Sequence, residues 1–365
     1  MKGSVGLIER IHDWDVKHAS MQLTLPLGGG RIGGASSQDG SFLTYNAMVS
    51  IESVFAAWYK FRRGKRSRSD VMEFERHLEE NLFALHEDLV TGRYQHGAYV
   101  PFQICDPKQR QIHKATVRDR VVHQLVVSSI EPLFERQFIY DSFSCRKKKG
   151  THAAFLRLQS FLSQASRNNT RTVYALKCDI RRFFATVDHG ILYELLRKRI
   201  DDPATLELLR AIITSLSNAP CKGIPLGNLT SQLFANIYLH EFDWYMKHQL
   251  RAVHYARYCD DFIIVSPDRD YLLGLIEPLR YFLRTRLQLT LHPTKVTIRS
   301  WHQGIDFLGY VTKPHCTLLR RRTQRRMLAR VTPSNLTSYQ GLCSHADTYH
   351  VRQLLGILAY EAGES

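Results

Sequence analysis

No stretch of this sequence stays apolar for the ~18 residues that a membrane-spanning helix needs, so no membrane association is expected. The opening residues, Met1 to Arg10, also lack the apolar core of a signal peptide. Cysteine is scarce and scattered. Its seven copies (Cys105, Cys145, Cys178, Cys221, Cys259, Cys316 and Cys343) never form a Cys-x-x-Cys pair, and an odd number far apart argues against both zinc and a disulfide framework. A reducing cytoplasm is the expected setting. A glycine run over 28–37 lacks the Gly-Lys-Ser/Thr ending of a phosphate loop and reads as a mobile loop. Acidic residues are outnumbered as well, 34 against 50 Lys plus Arg, giving a net charge of +16. Such an excess points to a polyanionic partner, nucleic acid ahead of an anionic membrane surface. The chain has 365 residues, 44% of them hydrophobic, which is enough for a sizeable core and for two or three compact units.

The basic residues are clustered. Helical spacing over 45–62 and again over 70–89 encloses Arg62-Arg63-Gly64-Lys65-Arg66-Ser67-Arg68, which reads either as a solvated turn or as a phosphate contact through Arg63, Lys65 and Arg66. A strand over 99–105, a polar turn over 106–109 and a second strand from Arg110 form a hairpin carrying Lys108, Arg110 and Lys114. Arg118-Asp119-Arg120 then opens a helix. Cations placed at a hairpin and a helix start can hold a triphosphate, although exposed hairpins commonly carry such residues. Lys147 and Lys148 lie in a further basic turn before a helix over 152–165, and six arginines between 320 and 330, Arg321, Arg322 and Arg325 among them, suit a helix that tracks a nucleic-acid backbone.

Two short apolar runs, Arg257-Tyr258-Cys259 and Phe262-Ile263-Ile264-Val265, flank Asp260-Asp261, which places two neighbouring carboxylates at a hairpin tip. The pair reads either as an acidic turn facing water or as the seat of a divalent cation, since repulsion and desolvation penalise it otherwise. A strand over 173–180 ends near Asp179, a third carboxylate, and Phe184 follows five residues later. A ring there either packs under a helix start or excludes a ribose 2′-hydroxyl. The loop Gly223-Ile224-Pro225-Leu226-Gly227-Asn228-Leu229-Thr230-Ser231-Gln232 enters a helix expected over 233–247, and Gly227 permits close backbone approach to a flat base. A helix follows over 271–287. Lys295 is either a surface lysine or a general acid toward a leaving pyrophosphate. Gly304 to Tyr310 makes a second tight hairpin.

Taken in order, Asp179, Phe184, the Gly227/Ser231 loop, Tyr258-Cys259-Asp260-Asp261, Lys295 and Phe307-Leu308-Gly309-Tyr310 resemble the palm of reverse transcriptases, over residues 45 to about 356. The segments Asp106 to Arg120 and Ser144 to His152 look like the fingers of bacterial, group II intron-like enzymes. The resemblance implies an α+β, right-hand polymerase fold: an N-terminal extension (1–44), fingers (45–170), a palm with an antiparallel sheet (171–315) and a short basic helical thumb (316–365). It implies two Mg²⁺ ions, with Mn²⁺ as a substitute, held by Asp179, the Ile180 carbonyl and Asp260, with Asp261 supporting. Lys108 and Arg110 carry over as triphosphate contacts, beside Phe184, Leu226, Gly227 and Gln232 at the nucleotide. Arg63, Lys65, Arg66, Arg118, Lys147, Lys148, Arg321, Arg322 and Arg325 are the nucleic-acid contacts. The implied partners are a template RNA, the cDNA product and deoxynucleotides, with a small accessory protein or a second copy of the chain as further candidates.

One departure narrows the subgroup. Most intron-type enzymes carry Pro-Gln-Gly-x-x-x-Ser-Pro where this chain has Leu226 for the glutamine and Gln232 for the second proline. The Gly-x-x-x-Ser-Gln form is similar to diversity-generating retroelement enzymes and to orphan or antiviral-defence reverse transcriptases. Only 35 residues follow Arg330, too few for a maturase DNA-binding region or an endonuclease, so a self-mobile intron protein is not expected. The rival class is a catalytically idle polymerase fold serving as an RNA scaffold. Three retained carboxylates speak against it, because a pure binder has no use for all three. A polymerase making RNA is disfavoured by Phe184, and a nucleotide cyclase by the missing glycine-acidic hairpin.

Overall fold

A computed structural model describes residues 44–105, 109–216 and 220–364. The expected N-terminal extension, its glycine run, and Lys108 lie outside the described residues. The chain divides into two compact units built from alternating stretches: Met1–Phe138, Arg182–Leu239 and Arg284–Leu289 in the first, and Ile139–Arg181, His240–Leu283 and Thr290–Ser365 in the second.

In the first unit the apolar face of helix Ile51–Phe61 (Val54, Trp58, Phe61) is buried, as are Leu82, Leu85 and Leu89 of helix Leu78–Val90 and Val121, Val122, Leu125 and Val126 of helix Val117–Glu135. The helical pattern expected over 45–62 is interrupted by Ser50. Its hydroxyl accepts the Ser53 N–H at 3.3 Å and starts the second helix, leaving Tyr45–Met48 as a separate turn. The pattern over 70–89 is likewise split, at His77, into Ser69–Arg76 and Leu78–Val90. There Asn81 Nδ2 donates to the Phe74 carbonyl, a group that the break would otherwise leave unsatisfied. Strands β1 (Val100–Ile104) and β2 (Arg110–Lys114) pair antiparallel, as the sequence indicates. The 223–232 loop docks on this hairpin through His113 N–H to the Leu226 carbonyl (3.3 Å) and Asn228 Nδ2 to the His113 carbonyl (3.2 Å). The following helix, Leu229–Trp244, begins four residues earlier than expected and ends in a π turn, Tyr245–Gln249.

The second unit holds a four-stranded antiparallel sheet in the order β4–β5–β3–β6, where β3 is Tyr174–Asp179, β4 Tyr255–Tyr258, β5 Asp261–Ser266 and β6 Thr297–Ser300. Phe161 and Leu162 of helix Thr151–Ala165 share a buried core with Ala175, Ile263, Val265 and Trp301. A second sheet of β7 (Ile305–Phe307), β8 (Tyr310–Lys313) and β9 (Cys316–Leu319) turns at Leu308–Gly309, both at positive φ. Tyr310 and Leu319 from that sheet share a core with Met327, Cys343 and Leu355 of three C-terminal helices, Arg321–Arg330, Leu336–Cys343 and Tyr349–Glu364. The fold is thus mixed, and among the described residues the named strands all pair antiparallel.

Candidate active site

The central strand β3 ends on Asp179, and its neighbour β5 begins on Asp261. The two residues are direct register partners across the ladder. Strands β4 and β5 are joined by the two-residue turn Cys259-Asp260, so Asp260 sits at the tip and Tyr258 pairs with Asp261. Cys259 takes a left-handed conformation (φ 56°) that a tight hairpin demands and a side-chain-bearing residue adopts at a cost. The chain leaving β3 is stitched to both sides. Ile180 N–H donates to the Asp260 carbonyl (3.2 Å), His292 N–H to the Asp179 carbonyl (2.8 Å), and Arg181 N–H to the Thr290 carbonyl (2.8 Å). This places Asp179, Ile180, Asp260 and Asp261 around one end of one sheet, as the sequence indicates.

The electrostatics are those of an incompletely neutralised acidic site. Burial pushes the Asp261 carboxyl up to about 6, reinforced by the negative charges of Asp260 and Asp179 and opposed by Lys177 and Lys295. Lys295 Nζ donates to Asp179 Oδ2 at 2.8 Å, with the lysine side chain 42% exposed and the aspartate 15%. Lys295 therefore belongs to the same cluster and acts there as an internal counter-ion. Among the described residues no group of three or more His, Cys, Asp or Glu side chains converges as a preformed metal cage. The donors available at the sheet end are all hard oxygens, the type that Mg²⁺ and Mn²⁺ prefer.

The remaining sequence-derived residues fall in several places. In the first unit Phe183 is buried at 1% exposure, whereas Phe184 is only half-buried and meets Phe183 edge to face at 5.3 Å. Phe183 packs in the core, and Phe184 is half-buried against it. Leu226 is half-buried, Gln232 exposed, and Gly227 lies at φ 103° with no room for a Cβ, which would stand 2.7 Å from Ile112 Cγ2. Arg110, Arg63 and Arg66 are exposed. Lys65 is engaged locally: its amine donates to the Phe61 carbonyl at 2.6 Å and lies over the Phe61 ring, and burial lowers its pKa. Arg118 is also engaged, ion-paired with Asp88 at 2.7 Å and lying over the Tyr94 ring. In the second unit Lys147 and Lys148 are exposed. Arg321, Arg322 and Arg325 are exposed on their helix, on which Met327 is buried.

Sequence reasoning missed one pair. Arg257 and Asp243 are both completely buried and ion-paired at 2.6 Å directly behind the hairpin tip. The signal was present, an arginine in an apolar strand, since such a residue stays charged in a core only with a partner.

A carboxylate closing one strand, faced by two more at the tip of the adjoining hairpin with a lysine beside them, is the arrangement of a template-copying polymerase palm. The chain belongs to the reverse transcriptase (RNA-dependent DNA polymerase) family, whose profile matches residues 106–312, more than half of the sequence. It is similar to Protein YkfC of Escherichia coli (strain K12), 28% identical over 275 residues that cover 64% of this chain and 71% of that protein. It is also similar to the group II intron-encoded protein LtrA of Lactococcus lactis subsp. cremoris, 22% identical over 271 residues, covering 56% of this chain and 44% of LtrA. The alignment thus spans less than half of the intron protein's length. Among solved structures, telomerase from Candida albicans with a fragment of telomeric RNA matches at a TM-score of 0.47 and 12% identity, over 73% of this chain and 53% of that one. Among the described residues no helix is long and apolar enough to cross a membrane.

Proposed function

We propose that the chain is an active RNA-directed DNA polymerase, copying a structured RNA into cDNA in a bacterial retroelement of the diversity-generating or antiviral-defence type. The observation that carries the polymerase reading is the in-register pairing of Asp179 with Asp261, with Asp260 at the adjoining tip and Lys295 on Asp179. Asp179, the Ile180 carbonyl, Asp260 and Asp261 would hold two Mg²⁺ ions, or Mn²⁺ in their place; the oxygen donors and the raised Asp261 carboxyl fit that role. Bound there, such ions supply an ionised primer 3′-hydroxyl and charge neutralisation at the phosphate oxygens.

The chain's own groups do the rest. Lys295 releases Asp179 and carries a proton to the leaving pyrophosphate oxygen. Lys108 and Arg110 hold the triphosphate, and the Phe184 ring excludes a 2′-hydroxyl. Gly227 brings its backbone close to the nascent pair, with Leu226 and Gln232 at the base. Leu226, apolar where intron-type enzymes carry glutamine, relaxes base selection. Arg63, Arg66, Lys147, Lys148, Arg321, Arg322 and Arg325 are exposed cations that suit phosphate contact, whereas Lys65 and Arg118 would contribute less because they are only partly exposed. The partners are a template RNA, cDNA and dNTPs, together with an accessory protein or a second copy. Purified protein, a DNA primer annealed to RNA, dNTPs and Mg²⁺ test the reading. Extension that stops with chelator is expected, and tight RNA binding with no extension would instead support a scaffold.

A further inference from the structure

The hairpin that carries Asp260 and Asp261 is strained at Cys259, and a residue in an unfavourable backbone conformation persists only where its surroundings over-determine it. Those surroundings are supplied by one side chain. Arg257 Nε and Nη2 grip Asp243 Oδ1 and Oδ2 at 2.7 and 2.6 Å, and Tyr255 Oη donates to the same Oδ1 at 2.6 Å. Arg257 Nη1 then donates 3.0 Å to the Cys259 carbonyl, inside the turn itself, and Nη2 reaches Ser142 Oγ at 3.0 Å. The backbone of Arg257 is fixed as well, its N–H donating to the Asp141 carbonyl (2.9 Å) and its carbonyl accepting from Phe143 N–H (3.0 Å). From the other side Ile180 N–H holds the Asp260 carbonyl. Asp260 is thus pinned through its own carbonyl and through that of the residue before it.

We propose that Arg257 is a positioning residue for the nucleotidyl-transfer site: oriented by Asp243, it sets the Cys259 carbonyl and so the direction in which Asp260 and Asp261 present their oxygens. This rests on the polymerase reading above. A lysine at 257 would retain the charge but not the planar fork that spans Asp243 and the Cys259 carbonyl together. A buried pair replaced as a unit by apolar residues of similar volume is tolerated by many folds, whereas removal of one partner strands the other charge. The two roles can therefore be separated.

The test compares wild type, Arg257→Lys, the double variant Arg257→Met/Asp243→Leu, and Asp260→Asn as the reference for loss of the site. Each is measured by thermal melting, by Mn²⁺ titration followed by electron paramagnetic resonance, and by primer extension. The double variant strands no charge but leaves Tyr255 Oη without its acceptor, so it is expected to fold and to melt somewhat below the wild type, while binding Mn²⁺ about 10–100-fold more weakly, with kcat lower by a similar factor and the dNTP KM within about twofold. Arg257→Lys is expected to show the same split. A double variant or a lysine variant with wild-type Mn²⁺ affinity and kcat would overturn the proposal, leaving the pair a purely structural one. Should the wild type bind Mn²⁺ through Asp260 but make no DNA, the polymerase reading fails, and the Mn²⁺ affinities alone decide the role of Arg257. Wild-type protein that binds no Mn²⁺ through Asp260 overturns both.

Discussion

Lys295 and Asp261 sit in the same cluster and respond to it differently, Lys295 to the charge of Asp179 and Asp261 chiefly to burial, with its acidic neighbours adding to the effect. The lysine is drawn onto Asp179, while the aspartate retains its proton to a higher pH than usual. As a general acid Lys295 would lower the barrier in proportion to its proton transfer, so Lys295→Met is expected to cut kcat by about 10²-fold or more. The same change frees Asp179 Oδ2, so half-maximal activity should require less Mg²⁺, which a metal titration of initial rates reads directly. Asp261 makes a stability prediction whose sign follows from its raised pKa. The native state holds its proton more tightly than the unfolded chain does. The associated stabilisation is complete below the ordinary carboxylate value and is lost as pH rises through about 6. Asp261→Asn should therefore stabilise the metal-free protein relative to wild type more at pH 8 than at pH 4, by on the order of 2 kcal/mol. Chemical denaturation at both pH values checks this. Asp261 is legible in the sequence because adjacent carboxylates in an apolar hairpin stand out, whereas Lys295 alone reads equally as a surface lysine. For Arg257 the sequence shows an arginine in an apolar strand but not its partner, since no local pattern pairs it with Asp243.

At the scale of elements, the sequence marked the β1/β2 hairpin, the Asp260 hairpin and the Leu308-Gly309 turn, where turn residues interrupt alternating apolar runs. Strand β6 escaped notice for a physical reason. It lies at the edge of the sheet and none of its residues is fully buried, so Thr297–Ser300 shows no alternation of apolar and polar residues. The helix breaks at Ser50 and His77 were hidden for another, since neither is made by glycine or proline: the Ser50 side chain caps one, and at the other Asn81 donates to the Phe74 carbonyl. The sequence marks Gly227 as a point of close backbone approach, and the structure adds the neighbour that requires glycine there. A Cβ would collide with Ile112 Cγ2 on the hairpin and would sit at φ 103°. Gly227→Ala is expected to cost about 1–3 kcal/mol and to loosen β1/β2. Adding Ile112→Ala relieves the collision but not the backbone strain, so the double variant should recover only part of the stability that Gly227→Ala loses. Melting temperatures and amide exchange in β2 measure both effects.

For the whole molecule, the charge of +16 announced a polyanionic partner before any element was assigned. Its distribution narrows that statement, because several of the cations are spoken for. Arg120 and Lys114 both pair with Asp70, Arg157 and Lys247 with Asp141, and Arg320 with Asp306. Arg321, Arg322, Arg325, Lys147 and Lys148 are exposed, where a phosphate can reach them, and sequence alone could not tell exposed cations from partly buried ones, because burial is a property of the fold. The two compact units also interleave along the chain, so that Ile139–Arg181 belongs with the sheet that carries Asp179, Asp260 and Asp261. Asp179 and Asp261 lie far apart in sequence and become neighbours only through that sheet. The proposed polymerase activity depends on this convergence. It is tested most directly by primer extension on an RNA template with Mg²⁺, comparing wild type with Asp260→Asn in protein shown to melt normally. Loss of DNA synthesis by at least about 10³-fold, with RNA binding unchanged, is the predicted result. Synthesis by Asp260→Asn at the wild-type rate would contradict it.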